Sequence, residues 1–169
     1  MRDYMSTLVN RNDVTLIKER ARITQLASAI TKGIEDGEFE AVEAITNHFF
    51  VPDIKSGLNI YARELKLPKG AVAVGKIHKG RTLNIISQGR FATIIDGETV
   101  EIDAPHIWVS EPGVQKAAHI LEDVTWVNIH ITEHNSEEGL PLIEKEVIAE
   151  TFEELGLIDN IVALDDKGV

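Results

Sequence analysis

The chain has 169 residues, no cysteine and a formal net charge of −11 at pH 7. Its apolar content of 43% and charged content of 27% are typical of one globular domain with a substantial core. No apolar run approaches the roughly 20 residues that a membrane span requires, and no apolar segment of a secretory signal is visible, so we expect no membrane partner. The lack of cysteine excludes disulfides and thiolate metal sites, which favours a cytoplasmic location.

The negative charge is concentrated near the C-terminus. From residue 133 onward there are 11 acidic and 2 basic residues, which account for −9 of the net charge. An acidic surface repels phosphate backbones, so we expect no nucleic-acid partner. We interpret the acidic stretch as a solvated helix face followed by a frayed end.

An N-terminal helical arm is predicted over residues 1–52. Asn12 or Asp13 can cap a helix whose apolar residues fall on one face, and Gly37 stands where such a helix should end. A second, shorter helix is predicted over residues 39–48. The first helix would be roughly 33 Å long at 1.5 Å per residue, so it could pack on its own barrel or reach a neighbouring subunit. We prefer the neighbour and therefore expect a homo-oligomer.

Short apolar runs then alternate with Gly and Pro, which is typical of an all-β sandwich or barrel over residues 53–133. Asp96-Gly97 is a strong hairpin signal. About eight strands, the number of a jelly roll, are predicted at 58–67, 71–78, 82–87, 90–95, 98–102, 106–110, 114–121 and 124–132. An amphipathic helix over 142–155 is predicted within an acidic C-terminal region, 134–169.

Several motifs resemble those of the cupin superfamily. They are Gly75-Lys-Ile-His-Lys79, Ala104-Pro105, Pro112-Gly113 with Lys116, and Glu122-Asp123 followed by Trp126 and His130. The chain resembles small cupin-like proteins of unknown function from tailed phages and prophages. The resemblance implies a mainly β fold, the cupin-type double-stranded β-helix or jelly-roll barrel. It implies no particular activity, because cupins host many unrelated ones.

The resemblance also assigns the positions where metal-binding cupins carry three histidines and a glutamate. Here those positions hold Lys76, His78, Thr82 and Lys116. Two ammonium groups would repel a cation, so we expect no metal and no other cofactor.

The same positions favour an anion. Strand parity places residues 76, 78, 82 and 84 on one face, and if that face lines the barrel, the pocket offers Lys76, His78, Thr82, Asn84 and Lys116. Buried ammonium groups need a compensating charge, so the pocket suits a phosphate, carboxylate or nucleotide-like ligand. Alternatively, the lysines extend out of the barrel mouth or pair with Glu64, Glu122 or Asp123.

Two further histidines are candidates for the site. His119 follows Lys116 on the same strand and could contact a ligand or replace a lost metal ligand, or it is a core or rim residue. His130 shares a face with Trp126 and Asn128 and could act as a general base oriented by Glu122 or Asp123. Trp108 and Trp126 are interpreted as core anchors.

The first functional hypothesis is a small-molecule binding protein that holds an anionic ligand in its barrel. If it is phage-encoded, it could sequester a host metabolite or signal. The alternatives are an enzyme, either metal-dependent or metal-free (isomerase, lyase or hydrolase), and a virion or assembly protein whose barrel is filled with side chains.

Overall fold

The computed structural model describes residues 14–53, 55–95 and 98–156, and it describes side chains from residue 20 onward. Within these ranges two helices flank nine strands, and short 3-10 turns lie at 137–139 and 153–155. The helices are α1 (Val14–Glu35) and α2 (Leu140–Val147). The strands are β1 (Ile45–Pro52), β2 (Asn59–Leu67), β3 (Val72–Val74), β4 (Ile77–His78), β5 (Thr82–Ile95), β6 (Glu98–Asp103), β7 (His106–Ser110), β8 (Ala117–Thr132) and β9 (Ile148–Ala149).

The main sheet is antiparallel, with strand order β1-β2-β8-β5-β6. Strand β3 also pairs with β8, β7 also pairs with β5, and β4 pairs with β9 in a small second sheet. The predicted mainly β, jelly-roll fold with a helix on each side is confirmed. Two predicted strand pairs, 82–87 with 90–95 and 114–121 with 124–132, are each one long strand in the structure.

A bulge interrupts the pairing of those two long strands. The register between β5 and β8 shifts three times between Ile86 and Phe91. Gly89 lies at its centre with φ +87°, and a side chain there would collide with the carbonyl oxygen of Asp123. Only glycine accepts both this conformation and this close approach, and the bulge bends the pair of strands. The predicted Asp96-Gly97 turn lies outside the described residues.

The first helix matches its prediction, and Gly37, with φ +76°, follows its end. Its expected cap at Asn12 or Asp13 lies outside the described residues. The Arg20 guanidinium lies 5.0 Å from the centre of the Phe152 ring, which places α1 against its own chain. This differs from the expectation that the arm reaches a neighbouring subunit. None of the helices in the described ranges is long and apolar enough to cross a bilayer.

The prediction of a helix over residues 39–48 was wrong. Residues 45–52 form β1, which pairs with β2 along its whole length. Phe49, Phe50 and Val51 are residues that strands favour, and pairing with β2 outweighs the helical spacing of the apolar residues. The division into arm, barrel and tail at residues 52 and 133 stays a prediction, although β1 belongs to the main sheet.

The C-terminal helix is also shorter than predicted. It ends at Val147, because Ile148 and Ala149 turn away to pair with β4. Ile77, Ala149 and Phe152 form a small buried cluster there. The pairing of β9 with β4 places α2 at the end of the barrel where the polar residues described below lie.

The main core occupies the half of the barrel around the bulge. It consists of six buried residues, Ile86, Phe91, Ala118, Ile120, Val124 and Trp126. The two tryptophans predicted as anchors lie in or against this core, with ring centres 5.3 Å apart. The other half of the barrel is not filled in this way.

Candidate functional site

Polar side chains line the inside of the barrel beyond the core. In one cross-strand row, His48 lies opposite Arg63, Arg63 opposite Asn128, and Asn128 opposite Asn84. In the next row, Tyr61 lies opposite His130. Because directly opposite residues of antiparallel strands share a face, these side chains all point to the same side of the sheet.

The other side of the same strands is apolar. The row next to the first contains Phe49, Ala62, Ile129, Leu83 and Val109, each opposite the next across five strands. Phe49 and Val109 are 51% and 55% exposed. This half of the barrel is therefore polar inside and apolar outside, the reverse of an ordinary half-buried sheet.

Asn84 is the fixed centre of the polar interior. Its side chain is completely buried and uses both of its polar atoms. Nδ2 donates to the Thr82 carbonyl at 2.8 Å and to Ser110 Oγ at 2.9 Å. Oδ1 accepts from Asn128 Nδ2 at 2.8 Å and from Trp126 Nε1 at 3.3 Å. A buried polar group is stable only when its partners are complete, so this network ties the three strands β5, β7 and β8 together at the site.

Two histidine rings stack next to this network. The rings of His78 and His130 are nearly parallel, with centres 5.2 Å apart. His78 Nδ1 shares a hydrogen bond of 2.8 Å with Thr82 Oγ1. The Tyr61 ring stacks on the far side of His130, at 6.2 Å, and its hydroxyl shares a hydrogen bond of 2.7 Å with His48 Nδ1.

Both imidazoles are held in the neutral form. Burial lowers the pKa of His78 to about 3, with further lowering by Lys116, His130 and Arg63. Burial lowers the pKa of His130 to about 4, and Arg63 and Lys116 add to the effect. Burial also lowers the pKa of Lys116 to about 8, so this ammonium is still mainly charged at pH 7. Burial raises the pKa of Tyr61, which keeps its hydroxyl protonated.

These groups border two cavities that share part of their walls. The smaller has a volume of about 290 Å³ and the larger about 890 Å³. Arg63, His78, Asn128 and Glu144 line both. His48, Tyr61 and His130 line only the smaller one, and Lys116 lines only the larger one.

The predicted site residues divide into three groups. His78 and Lys116 border a cavity, and Lys116 Nζ lies 6.0 Å from the centre of the Trp126 ring. Thr82 and Asn84 are buried behind the cavities, where they support His78 and the strands rather than face open space. Lys76 is exposed at the rim of the larger cavity, so the alternative of an outward-pointing lysine holds for Lys76.

His119 is not brought to the site. It is exposed and pairs with Val72 and Ala92, because residues 118 and 120 are the ones that point into the core. The predicted acids are also elsewhere. Glu122 pairs with Arg90 at 3.2 Å and Asp123 accepts a hydrogen bond from the Lys69 amide at 2.8 Å. They therefore do not orient His130, and they do not pair with Lys76 or Lys116.

Sequence reasoning missed four residues of the cavity walls, His48, Tyr61, Arg63 and Glu144. The alternation Trp126-Val-Asn-Ile-His-Ile-Thr132 was the available signal, because every second residue from Asn128 is polar. Had that polar face been assigned to the barrel interior, pairing with the preceding strand would have added Tyr61 and Arg63.

The described residues contain no cluster of three or more histidine, aspartate or glutamate side chains able to hold a metal ion. His78 and His130 provide two imidazoles, and Thr82 occupies the adjacent position. The donor set therefore does not fit a conventional transition-metal centre, which uses three or four such ligands.

No protein-family model and no curated protein matches the chain. Solved structures that align with it include a cupin superfamily protein from Desulfitobacterium hafniense DCB-2 (15% identity, 56% of this chain and 82% of that one, TM-score 0.40). A cupin domain from Bordetella pertussis Tohama I aligns at 15% identity over 56% of this chain and 98% of that one, with a TM-score of 0.40. KdgF from a Halomonas species aligns at 18% identity over 52% and 95% of the respective chains, with a TM-score of 0.38. Likeness at this level carries no argument about function, and the resemblance to phage proteins stays a prediction.

Proposed function

We propose that this protein binds a small anionic ligand, a phosphate, carboxylate or nucleotide-like group, inside the polar half of its barrel. The observation that carries the proposal is a pair of cationic side chains, the exposed Arg63 and the partly buried Lys116, at cavities lined by neutral imidazoles. Within residues 14–53, 55–95 and 98–156, neither cation has an acidic partner within 4.0 Å.

The energetic argument rests on Lys116. Its ammonium has been moved away from water, which lowers its pKa to about 8. Removing a charge from water is unfavourable unless an opposite charge or hydrogen bonds replace the solvent. An anion in the cavity would supply both, and it would also offset the repulsion between Lys116, Arg63 and any proton that His78 or His130 takes up.

The imidazoles would recognise the ligand as hydrogen-bonding groups rather than as charges. A neutral imidazole carries one donor and one acceptor. His78 commits Nδ1 to Thr82, so its other ring nitrogen remains for a ligand. Glu144, which lines both cavities, disfavours a ligand with a high negative charge next to it.

A thermal-shift screen with inorganic phosphate, acetate, sugar phosphates and nucleotides tests the proposal. A ligand at a hundred times its dissociation constant should stabilise the protein by about 2.7 kcal/mol. A variant with Arg63→Met should lose most of this response. If no anion of the panel shifts the unfolding temperature, the proposal is wrong.

The enzyme alternative has one supporting observation, the stacked His78–His130 pair at a cavity. Glu144 lines the same cavity, but among the described residues no carboxylate is hydrogen-bonded to either ring, and their low pKa values make both poor bases at neutral pH. Elemental analysis of the purified protein would detect a metal-dependent version.

The assembly-protein alternative expected a filled barrel, whereas the structure has open cavities at the polar end. A phage origin, sequestration of a host metabolite and a cytoplasmic location stay predictions.

We also propose that the chain is a homo-oligomer, and the apolar outer side of the sheet supports this. Six exposed side chains define what we call the outer apolar face: Phe49, Val51, Ile60, Ile107, Val109 and Ile131. Together they expose on the order of 600 Å², which is at the upper limit for a monomer's largest apolar patch. This area approaches the roughly 800 Å² that each partner buries in a standard interface. The six side chains carry no charge, and Glu64, which lies on the same side of the sheet, pairs with Lys66 at 3.7 Å.

Ile131→Glu is expected to disrupt this association, because Ile131 is 70% exposed and a carboxylate there would be buried against apolar surface. We expect the dimer to weaken roughly 100-fold or more, measured by light scattering on a size-exclusion column. Leu142→Glu, at a leucine of α2 that is 53% exposed, is the control and should leave the assembly unchanged. A wild-type protein that is monomeric at all concentrations would contradict the proposal.

A further inference from the structure

The larger cavity is mainly an apolar groove beneath α1. The helix contributes Leu26, Ile30 and Ile34, the following segment contributes Phe39, and the barrel contributes Leu65 and Trp126. Leu26, Ile34 and Phe39 are 37%, 39% and 54% exposed although they face this groove. The volume of about 890 Å³ is within the range of pockets that enclose a whole small molecule.

The groove has a charged end. Lys116 and Arg63 lie in its wall together with His78, next to the Trp126 ring. Two glutamates, Glu38 and Glu40, belong to the segment after α1. Glu144 lies at the junction with the smaller cavity. One anionic group therefore has two cations at this end, and a second negative charge would meet Glu144.

We propose that the ligand is an amphipathic monocarboxylate, with its carboxylate at Lys116 and Arg63 and its apolar body in the groove beneath α1. This inference rests on the anion site proposed above and adds the ligand class. A ligand that is only charged or only apolar would satisfy one part of the cavity and not the other. An inorganic anion would leave the apolar wall in contact with water. A neutral hydrocarbon would leave the buried ammonium without a partner.

Titration calorimetry with butyrate, hexanoate, octanoate and decanoate tests the inference, each below its micelle-forming concentration. Each added methylene should tighten binding about threefold until the groove is filled. Decanol, which lacks the charge, should bind at least roughly tenfold more weakly than decanoate.

A double variant, Leu26→Ser with Ile34→Ser, should remove the dependence on chain length and leave the affinity for butyrate unchanged. Both positions are partly exposed, so the substitutions should not prevent folding, and Leu142→Ser is the matched control. If the affinity for the series is flat while butyrate and inorganic phosphate bind, the anion site stands and this inference is overturned. A groove closed by another copy of the chain would give that flat result. If neither butyrate nor phosphate binds, the proposed function itself fails.

Discussion

Replacing Lys116 by methionine is expected to stabilise the unliganded protein and, at the same time, to weaken anion binding. Burial lowers the pKa of Lys116 from 10.5 to about 8, so the ammonium destabilises the folded state at neutral pH. Methionine has a similar volume and no charge. We expect the free energy of unfolding at pH 7 to rise by about 1–3 kcal/mol. Losing a charge-assisted hydrogen bond should weaken binding about 10- to 100-fold.

The pH dependence makes the test specific. Between pH 8 and 10.5 the unfolded wild-type chain holds a proton at Lys116 that the folded chain has released, so wild-type stability rises with pH in this range. The difference in free energy of unfolding between Lys116→Met and the wild type, measured by urea unfolding, should therefore shrink over the same pH range. Lys76→Met is the matched control, since Lys76 is exposed at the rim of the same cavity. A methionine variant at position 116 that is less stable, or that binds phosphate as well as the wild type, would contradict the proposed role.

The second prediction concerns acid. The folded-state pKa values of His78 and His130, about 3 and 4, are below the ordinary value of 6.5. The unfolded chain therefore binds more protons between pH 6.5 and 3. The stability that the neutral pair contributes is fully present above pH 6.5 and is lost as pH falls. We expect a loss on the order of 3–5 kcal/mol from the pair on reaching pH 4.

The control is a double variant, His78→Gln with His130→Gln, which should lose less stability between pH 6.5 and 4. His106→Gln, at an exposed histidine, should follow the wild type. A bound anion would offset the repulsion that Lys116 and Arg63 exert on the protonated rings of His78 and His130, and it would therefore make their protonation easier. Sulfate, which keeps its charge in this range, should therefore bind more tightly as pH falls and protect the wild type more than Lys116→Met. Identical acid curves for the wild type and the double variant would show that the pair is not responsible.

Local signals in the sequence predicted most of the helices and strands. They did not predict which side of the sheet faces the inside of the barrel. The spacing of apolar residues predicted α1, and the alternation of apolar runs with Gly and Pro predicted the strand rhythm. Residues 45–48 were misassigned because the apolar spacing over 39–48 also fits a helix, and only pairing with β2 decides between the two. That pairing depends on residues far away in the sequence.

The candidate site was only partly predictable, because the direction in which a strand face points also depends on the pairing of distant strands. Parity correctly grouped Thr82 and Asn84 with His78, but whether this polar face pointed inward could not be read from one strand. The usual expectation places Ile129 inside and His130 outside, and the structure has the opposite arrangement. Arg63 was missed because an arginine on a strand most often faces solvent, and Arg63 is indeed exposed although it lines both cavities. Only its register opposite His48 and Asn128 shows that it borders the cavities.

The bulge at Gly89 lies inside the packed core, between Ile86 and Phe91, and the buried polar network around Asn84 begins two residues before Ile86. Phe91, Ile120 and Val124 pack on one side of it, and Thr82 and Asn84 lie on the other. Cavity side chains outside the core cluster, such as His48 and Glu144, can therefore be exchanged with little effect on the packed core, whereas Trp126 and Ala118 belong to both. Such a division lets a scaffold acquire new ligands by drift and selection at one end, while the other end keeps it folded.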